Sequence, residues 1–220
     1  MRLRRLTVLI SGTGSNLQAL IDACHSGRLP VEISSVISNR AGAAGLYRAA
    51  RSGIASSVLP HTAFNSREAF DTALAELVDR SAPDLIVLAG FMRILGEAFV
   101  NRFAGRVINL HPSLLPLYRG TQTHQQVIDA GDAQHGASVH FVTAELDGGP
   151  VISQVRIPVL PGDDAARLAA RLAPQEHRLI VATVELLARH TVECRGQAVL
   201  VDHVTLDNPL RLQTDGSLCP

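Results

Sequence analysis

Short apolar runs alternate with helix-spaced segments through the first half of this chain, and that alternation limits the folds open to it. Residues 6–10, 32–38, 56–59, 85–89 and 107–110 read as strands bounded by turn residues. Between them, residues 17–23, a stretch reaching about residue 52, a stretch opened by the polar cap Asn65-Ser66-Arg67-Glu68, and residues 96–103 read as helices. These spacings suit parallel strands joined by right-handed crossovers. The carboxyl ends of such strands share one edge, and ligands bind there. The expected fold is α/β, an open twisted Rossmann-like sheet, mostly parallel, with helices on both faces. Residues 136–142 and 151–157 read as an antiparallel pair toward the carboxyl terminus. Residues 121–130 read as a helix, 163–190 as a long helix interrupted or kinked at Pro174, and 197–201 as a small edge strand. One domain is expected over residues 1–206, with an irregular tail over 207–220.

Charge and composition narrow the function classes. Lys+Arg and Asp+Glu are 20 each, so nothing marks a nucleic-acid or anionic-membrane surface. All 20 basic residues are arginine. Without lysine, neither Schiff-base chemistry nor a Walker-type phosphate lysine is open to the chain. Cys24, Cys194 and Cys219 are far apart and odd in number, which fits neither a disulfide framework nor metal spacing and suits a reducing cytoplasm. The start Met1-Arg2-Leu3-Arg4-Arg5 is basic, but the apolar run behind it is too short for a signal peptide. No run approaches the length of a membrane span.

Three stretches carry chemistry. The first, Ser11-Gly12-Thr13-Gly14-Ser15-Asn16, turns from a strand into a helix, where backbone N–H groups and the helix dipole favour an anion. The dinucleotide fingerprint fails because Leu17 holds its third glycine position, so a phosphate monoester suits the turn better than a pyrophosphate. The second is Asn109-Leu110-His111-Pro112. Asn109 and His111 are two apart at the end of a strand, so both side chains point to one side. The amide can donate to a developing oxyanion, and the imidazole can give or take a proton near neutral pH. A turn amide beside a solvated imidazole is the competing reading. The third stretch, Glu145-Leu146-Asp147-Gly148-Gly149-Pro150, offers a carboxylate that could hold the imidazole's tautomer and keep it charged. The turn at 12–16, the turn at 90–95 and the loop from Asn109 all follow strand ends, and they are expected to meet.

With these stretches in view, the chain resembles the phosphoribosylglycinamide formyltransferase family of folate-dependent enzymes, from about residue 6 to about residue 175. Ser66-Arg67-Glu68-Ala69-Phe70, Ala89-Gly90-Phe91-Met92-Arg93-Ile94-Leu95 and Asn109-Leu110-His111-Pro112-Ser113-Leu114-Leu115-Pro116 add to the likeness. The resemblance implies transfer of the formyl group of 10-formyltetrahydrofolate, a cosubstrate, to the amine of phosphoribosylglycinamide in purine biosynthesis. The products are phosphoribosyl-N-formylglycinamide and tetrahydrofolate. It implies Asn109, His111 and Asp147 as the catalytic trio, with Asp147 keeping His111 charged so that activity falls at high pH as His111 loses its proton. It implies Gly14, Ser15, Asn16 and Glu176 for the nucleotide. Arg67, Met92, Arg93, Ile94, Leu95, Asn109, Val142 and Asp147 would serve the folate. No metal is called for, nor any nucleic-acid or membrane partner, and a homodimer stays open. The chain departs from the family at Gln122, where some members have His, at Ile180-Val181, where Tyr-Pro is frequent, and at Pro174. Methionyl-tRNA formyltransferase, with its extra basic domain, and formyltetrahydrofolate hydrolase, with its regulatory domain, fit this short and neutral chain less well. Against an NAD-dependent oxidoreductase, no acidic residue ends the second strand, where Ser38-Asn39-Arg40 stands. A non-catalytic nucleotide module would leave the Asn109, His111 and Asp147 set unexplained.

Overall fold

A computed structural model describes residues 4–220; the reading of the basic start Met1-Arg2-Leu3 lies outside the described residues. The fold is α/β, with strands mostly parallel, an antiparallel carboxyl-terminal part, and helices on both faces. The chain divides into two compact units. Among the described residues, one comprises 4–109 and 142–144, the other 110–141 and 145–220.

In the first unit the elements alternate as the apolar periodicity requires: β1 (Arg4–Ile10), α1 (Ser15–His25), β2 (Val31–Ser38), α2 (Ala44–Arg51), β3 (Ser56–Val58), α3 (Arg67–Arg80), β4 (Leu85–Leu88), α4 (Glu97–Arg102) and β5 (Val107–His111), whose last two residues belong to the second unit. The strands lie in the order β3-β2-β1-β4-β5, all parallel. All four residues of β4 are buried, as expected of a strand covered on both faces. On α3, Phe70, Leu74 and Val78 recur every four residues and face a core that includes Leu9, Ile86, Leu95, Phe99 and Phe103. Ser66 caps that helix, accepting from Ala69 N–H at 3.1 Å. From β1 the chain runs to β2 and β3 on one side, then returns to β4 and β5 on the other. The strand order therefore reverses between β1 and β4, and ligands of such sheets bind outside the carboxyl ends of the strands at that reversal.

The second unit holds α5 (Thr123–Ala130), β6 (Gln134–Phe141), β7 (Val151–Pro158), α6 (Ala165–Arg189), β8 (Val192–Arg195), β9 (Ala198–Val201), β10 (Val204–Thr205), β11 (Leu210–Leu212) and β12 (Leu218–Cys219). β6 and β7 pair antiparallel as expected. Helix α6 starts at an Asp164 cap and runs unbroken through Pro174, so the expected interruption is absent. Two further expectations need correction. Residues 198–201 form the middle strand of a separate three-stranded antiparallel sheet, not an edge strand. The turn behind it is Asp202-His203, both at positive φ (49° and 70°), a hairpin geometry usually signalled by Asn-Gly. The tail is also not irregular: β11 pairs parallel with β7, and β12 pairs antiparallel with β11. Arg178 on α6 fastens it by donating to the Gln213 and Thr214 carbonyls at 2.8 and 2.7 Å.

Candidate active site

In the first unit the glycine turn follows β1 and the next turn follows its neighbour β4, and Ser11 N–H donates to Gly90 O at 3.1 Å between them. Gly14 caps α1 at φ 70°, and a Cβ there would come within 2.6 Å of Gly45 Cα. Only glycine meets both demands without strain. Gly45 N–H donates to Gly12 O at 3.1 Å and Arg48 Nε to Thr13 O at 2.9 Å, so α2 fixes the turn from behind. Ser15 opens the helix, and the Asn16 side-chain oxygen is buried without a partner. After β4, Leu95 joins the core, and Val142 packs against the same cluster. Met92 and Ile94 instead point outward, 65% and 52% exposed. Arg93 lies over the Phe70 ring, 5.9 Å from its centroid, and Arg67 is exposed on the first turn of α3. Asn109, half-buried in the middle of β5, pairs across the ladder with Leu88 of β4.

The second unit buries an imidazole against a carboxylate. His111 Nδ1 stands 3.5 Å from Asp147 Oδ2, and His111 Nε2 is 2.9 Å from the Tyr118 carbonyl. Asp147 is held by Gly120 N–H at 2.9 Å and sits at φ 46°, a left-handed conformation costly for a non-glycine residue. Tyr118 is also left-handed, at φ 55°; its hydroxyl donates to Asp132 Oδ2 at 2.6 Å. The segment 118–120 thus presents a carbonyl to the imidazole and an amide N–H to the carboxylate. Glu176 is half-buried on α6.

The formyl transferase family model matches residues 4–184. The chain belongs to the formyl transferase family. It is 50% identical over 197 residues to the phosphoribosylglycinamide formyltransferase of Escherichia coli (strain K12), covering 90% of this chain and 93% of that one. The corresponding Haemophilus influenzae enzyme is 42% identical over 91% of this chain and 94% of its own. Among solved structures, the Coxiella burnetii phosphoribosylglycinamide formyltransferase superposes with a TM-score of 0.89 at 44% identity, covering 93% of this chain and 96% of that one. No helix among the described residues is long and apolar enough to cross a membrane.

In this formyl transferase the sequence reading missed a second imidazole. His140, the penultimate residue of β6, places Nε2 3.6 Å from Asp147 Oδ1, while its Nδ1 meets the Phe141 carbonyl at 2.8 Å. The signal was a histidine on the inward face of a strand, in a register that sequence alone does not fix. Asp147 does pull the His111 pKa up, as expected, but the expectation that this keeps the imidazole charged needs correction. Burial pushes the His111 imidazole below its ordinary value of 6.5; the Tyr118 carbonyl and Asp147 pull it up but do not prevail, and His140 opposes them. A neutral His111 has one N–H for two facing acceptors, so the hydrogen-bond geometry favours the charged form while burial favours the neutral one. Burial also acts to raise the Asp147 carboxyl, but the bonds from His140 and Gly120, with the charges of the two imidazoles, hold it below the usual range. The carboxylate therefore stays ionised while His111 titrates.

A further pair lies at α5. His124 Nδ1 and His135 Nε2 are 2.8 Å apart, with the rings edge to face. Burial, then His124 and His111, push His135 from 6.5 down to about 4. Its folded pKa is depressed, so the unfolded chain takes up the proton first. The stability tied to neutral His135 is complete above pH 6.5 and is lost as pH falls toward 4. At 1.36 kcal/mol per unit this amounts to ~3 kcal/mol. His135→Gln should flatten the acid side of the stability curve, read as the unfolding midpoint in denaturant at pH 7 and at pH 4.5. An unchanged slope between those two pH values would count against this assignment.

Proposed function

We propose that this formyl transferase carries the formyl group of 10-formyltetrahydrofolate to the amine of phosphoribosylglycinamide, giving phosphoribosyl-N-formylglycinamide and tetrahydrofolate, in the cytoplasm and with residues 1–206 as its catalytic domain. The observation that carries the reading is β5 itself. Its middle residue is a half-buried amide, Asn109, and two residues on, at the strand's end, stands a buried imidazole that faces a carboxylate. Attack by the amine on the formyl carbon makes a tetrahedral oxyanion, and Asn109 donates to that oxygen. His111, its doubly protonated form favoured by Asp147, gives a proton toward the intermediate or the leaving folate nitrogen; the bond between that nitrogen and the formyl carbon breaks, and the neutral imidazole left behind takes up the proton that the attacking amine sheds. The Nε2 proton now rests on the Tyr118 carbonyl, which must release it for transfer from that nitrogen.

Gly14, Ser15 and Asn16 receive the nucleotide phosphate on the N–H groups of the turn, and Glu176 accepts from its ribose hydroxyls. The buried Asn16 oxygen fits this role if the amide is rotated, which puts an NH₂ donor where a phosphate oxygen would lie. Met92, Arg93, Ile94, Leu95 and Val142 line the folate, and Arg67 faces the carboxylates of its tail. The exposed Met92 and Ile94 side chains support this, because large apolar groups turned outward suit a flat ligand.

Turnover of 10-formyltetrahydrofolate, followed with and without phosphoribosylglycinamide, tests the reading. Folate product is expected only when the amine is present; equal turnover in water alone would mean a hydrolase. Gly14→Val is expected to raise the nucleotide Kd at least tenfold while leaving folate binding within about twofold, because its Cβ intrudes on the α2 backbone at Gly45 and displaces the turn. Calorimetric titration of both ligands checks it. An equal loss of both in a folded protein would remove the turn from the phosphate site.

A further inference from the structure

The turn after β4 hangs from two of its own backbone N–H groups. Met92 N–H donates to Ser11 Oγ at 2.7 Å, and Gly96 N–H donates to Asp71 Oδ2 at 2.6 Å. Ser11 ends the run from β1, and its own N–H donates to Gly90 O at 3.1 Å. Its hydroxyl proton goes to Asn39 Oδ1 at 2.6 Å, so toward Met92 the same oxygen accepts. The Asn39 amide nitrogen in turn lies 3.2 Å from His61 Nδ1. The bonds form one directed chain from Met92 through Ser11 to the end of β2.

The other anchor is costlier. Asp71 sits on α3 beside core residues Phe70 and Leu74, only 4% exposed, and its Oδ1 has no hydrogen-bond partner. A buried carboxylate with one bare oxygen is destabilising compared with an apolar residue at the same place. What it supplies is the bond to Gly96, where the turn ends and α4 begins. The approach is so close that a Cβ on Gly96 would lie 2.7 Å from Asp71 Oδ2. Between the two anchors the backbone turns Met92 and Ile94 outward. Without fixed ends, two large apolar side chains on an irregular segment would gain by folding inward.

We propose that Ser11 and Asp71 are positioning residues for the folate loop, holding the Met92 and Gly96 N–H groups so that Met92 and Ile94 stay presented to the cosubstrate. Neither touches the reacting atoms. The inference rests on the reading of residues 92–95 as the folate loop.

The test is steady-state kinetics on the full chain. Ser11→Ala and Asp71→Ala should each raise KM for 10-formyltetrahydrofolate about three- to tenfold, the scale of one hydrogen bond. KM for phosphoribosylglycinamide should stay within about twofold. Asp71→Asn keeps an acceptor oxygen for Gly96 and should restore a near-normal KM. If Asp71→Ala does not fold, Ser11→Ala decides alone. A lowered unfolding midpoint with an unmoved folate KM would make the anchors merely structural and overturn the proposal, as would an equal rise in both KM values. The double variant Met92→Ala with Ile94→Ala separates the two claims. If it leaves the folate KM unchanged, the reading of the loop fails; if it raises that KM while Ser11→Ala does not, only the anchoring fails.

Discussion

Asp147→Asn is expected to cut turnover about a hundredfold or more, the scale of general acid catalysis. It should also move the acid-side break of the pH–rate profile to lower pH. The productive state needs a charged His111 and a neutral attacking amine. Burial holds His111 below 6.5, whereas an α-amine titrates at about 7.7–8.0. The imidazole therefore loses its proton before the amine does, and the productive pair is a minority species whose share is flat between the two pKa values. Each unit by which the His111 pKa falls lowers that plateau about tenfold. The acid-side break belongs to His111 and the alkaline one to the amine, the reverse of what the sequence suggests. Removing the Asp147 charge takes away one of the groups that pulls His111 up, so the plateau drops and the acid-side break shifts downward. Profiles of kcat for both proteins measure this. Near-normal turnover with an unmoved acid-side break would mean that Asp147 does not tune His111.

Asn109→Ala should cost about 10²–10³ in kcat, the loss seen when one oxyanion donor is removed. Its signature differs from that of Asp147→Asn: the plateau falls while both breaks keep their positions, because no charge near His111 has changed. Binding of both substrates should survive, since the amide acts on charge that develops only in the transition state. A loss below about threefold would take Asn109 out of the oxyanion role.

The first unit was legible because each of its elements announces itself locally. β4 is a continuous apolar run, and Ser66 marks the start of α3 three residues before the N–H it accepts. The glycine turn was legible for the same reason, since positive φ at Gly14 and close approach to Gly45 both demand glycine. The carboxyl-terminal part was harder. Asp202-His203 turns a hairpin without glycine or asparagine, and Leu210–Leu212 is three residues whose strand character comes from β7 and β12 on either side of it. Asn109 and His111 could be paired from their spacing alone. Asp147 is 36 positions further on, and its approach to His111 depends on a non-glycine residue adopting a left-handed conformation, which no local pattern predicts. His140 was invisible for a related reason, because nothing in Ser138-Val139-His140 says which carboxylate the ring will meet. The sign of the His111 shift could not be read at all. It depends on how deeply the ring is buried, and a neighbouring carboxylate on its own points the other way.

Site-resolved NMR titration of the His111 ring nitrogens, in the unaltered chain and in Asp147→Asn, tests the central claim without recourse to turnover. The midpoint should lie below 6.5 in the unaltered chain and fall further when the carboxylate becomes an amide. A midpoint above 6.5, or one that does not move on substitution, would contradict a buried imidazole whose proton Asp147 helps to hold.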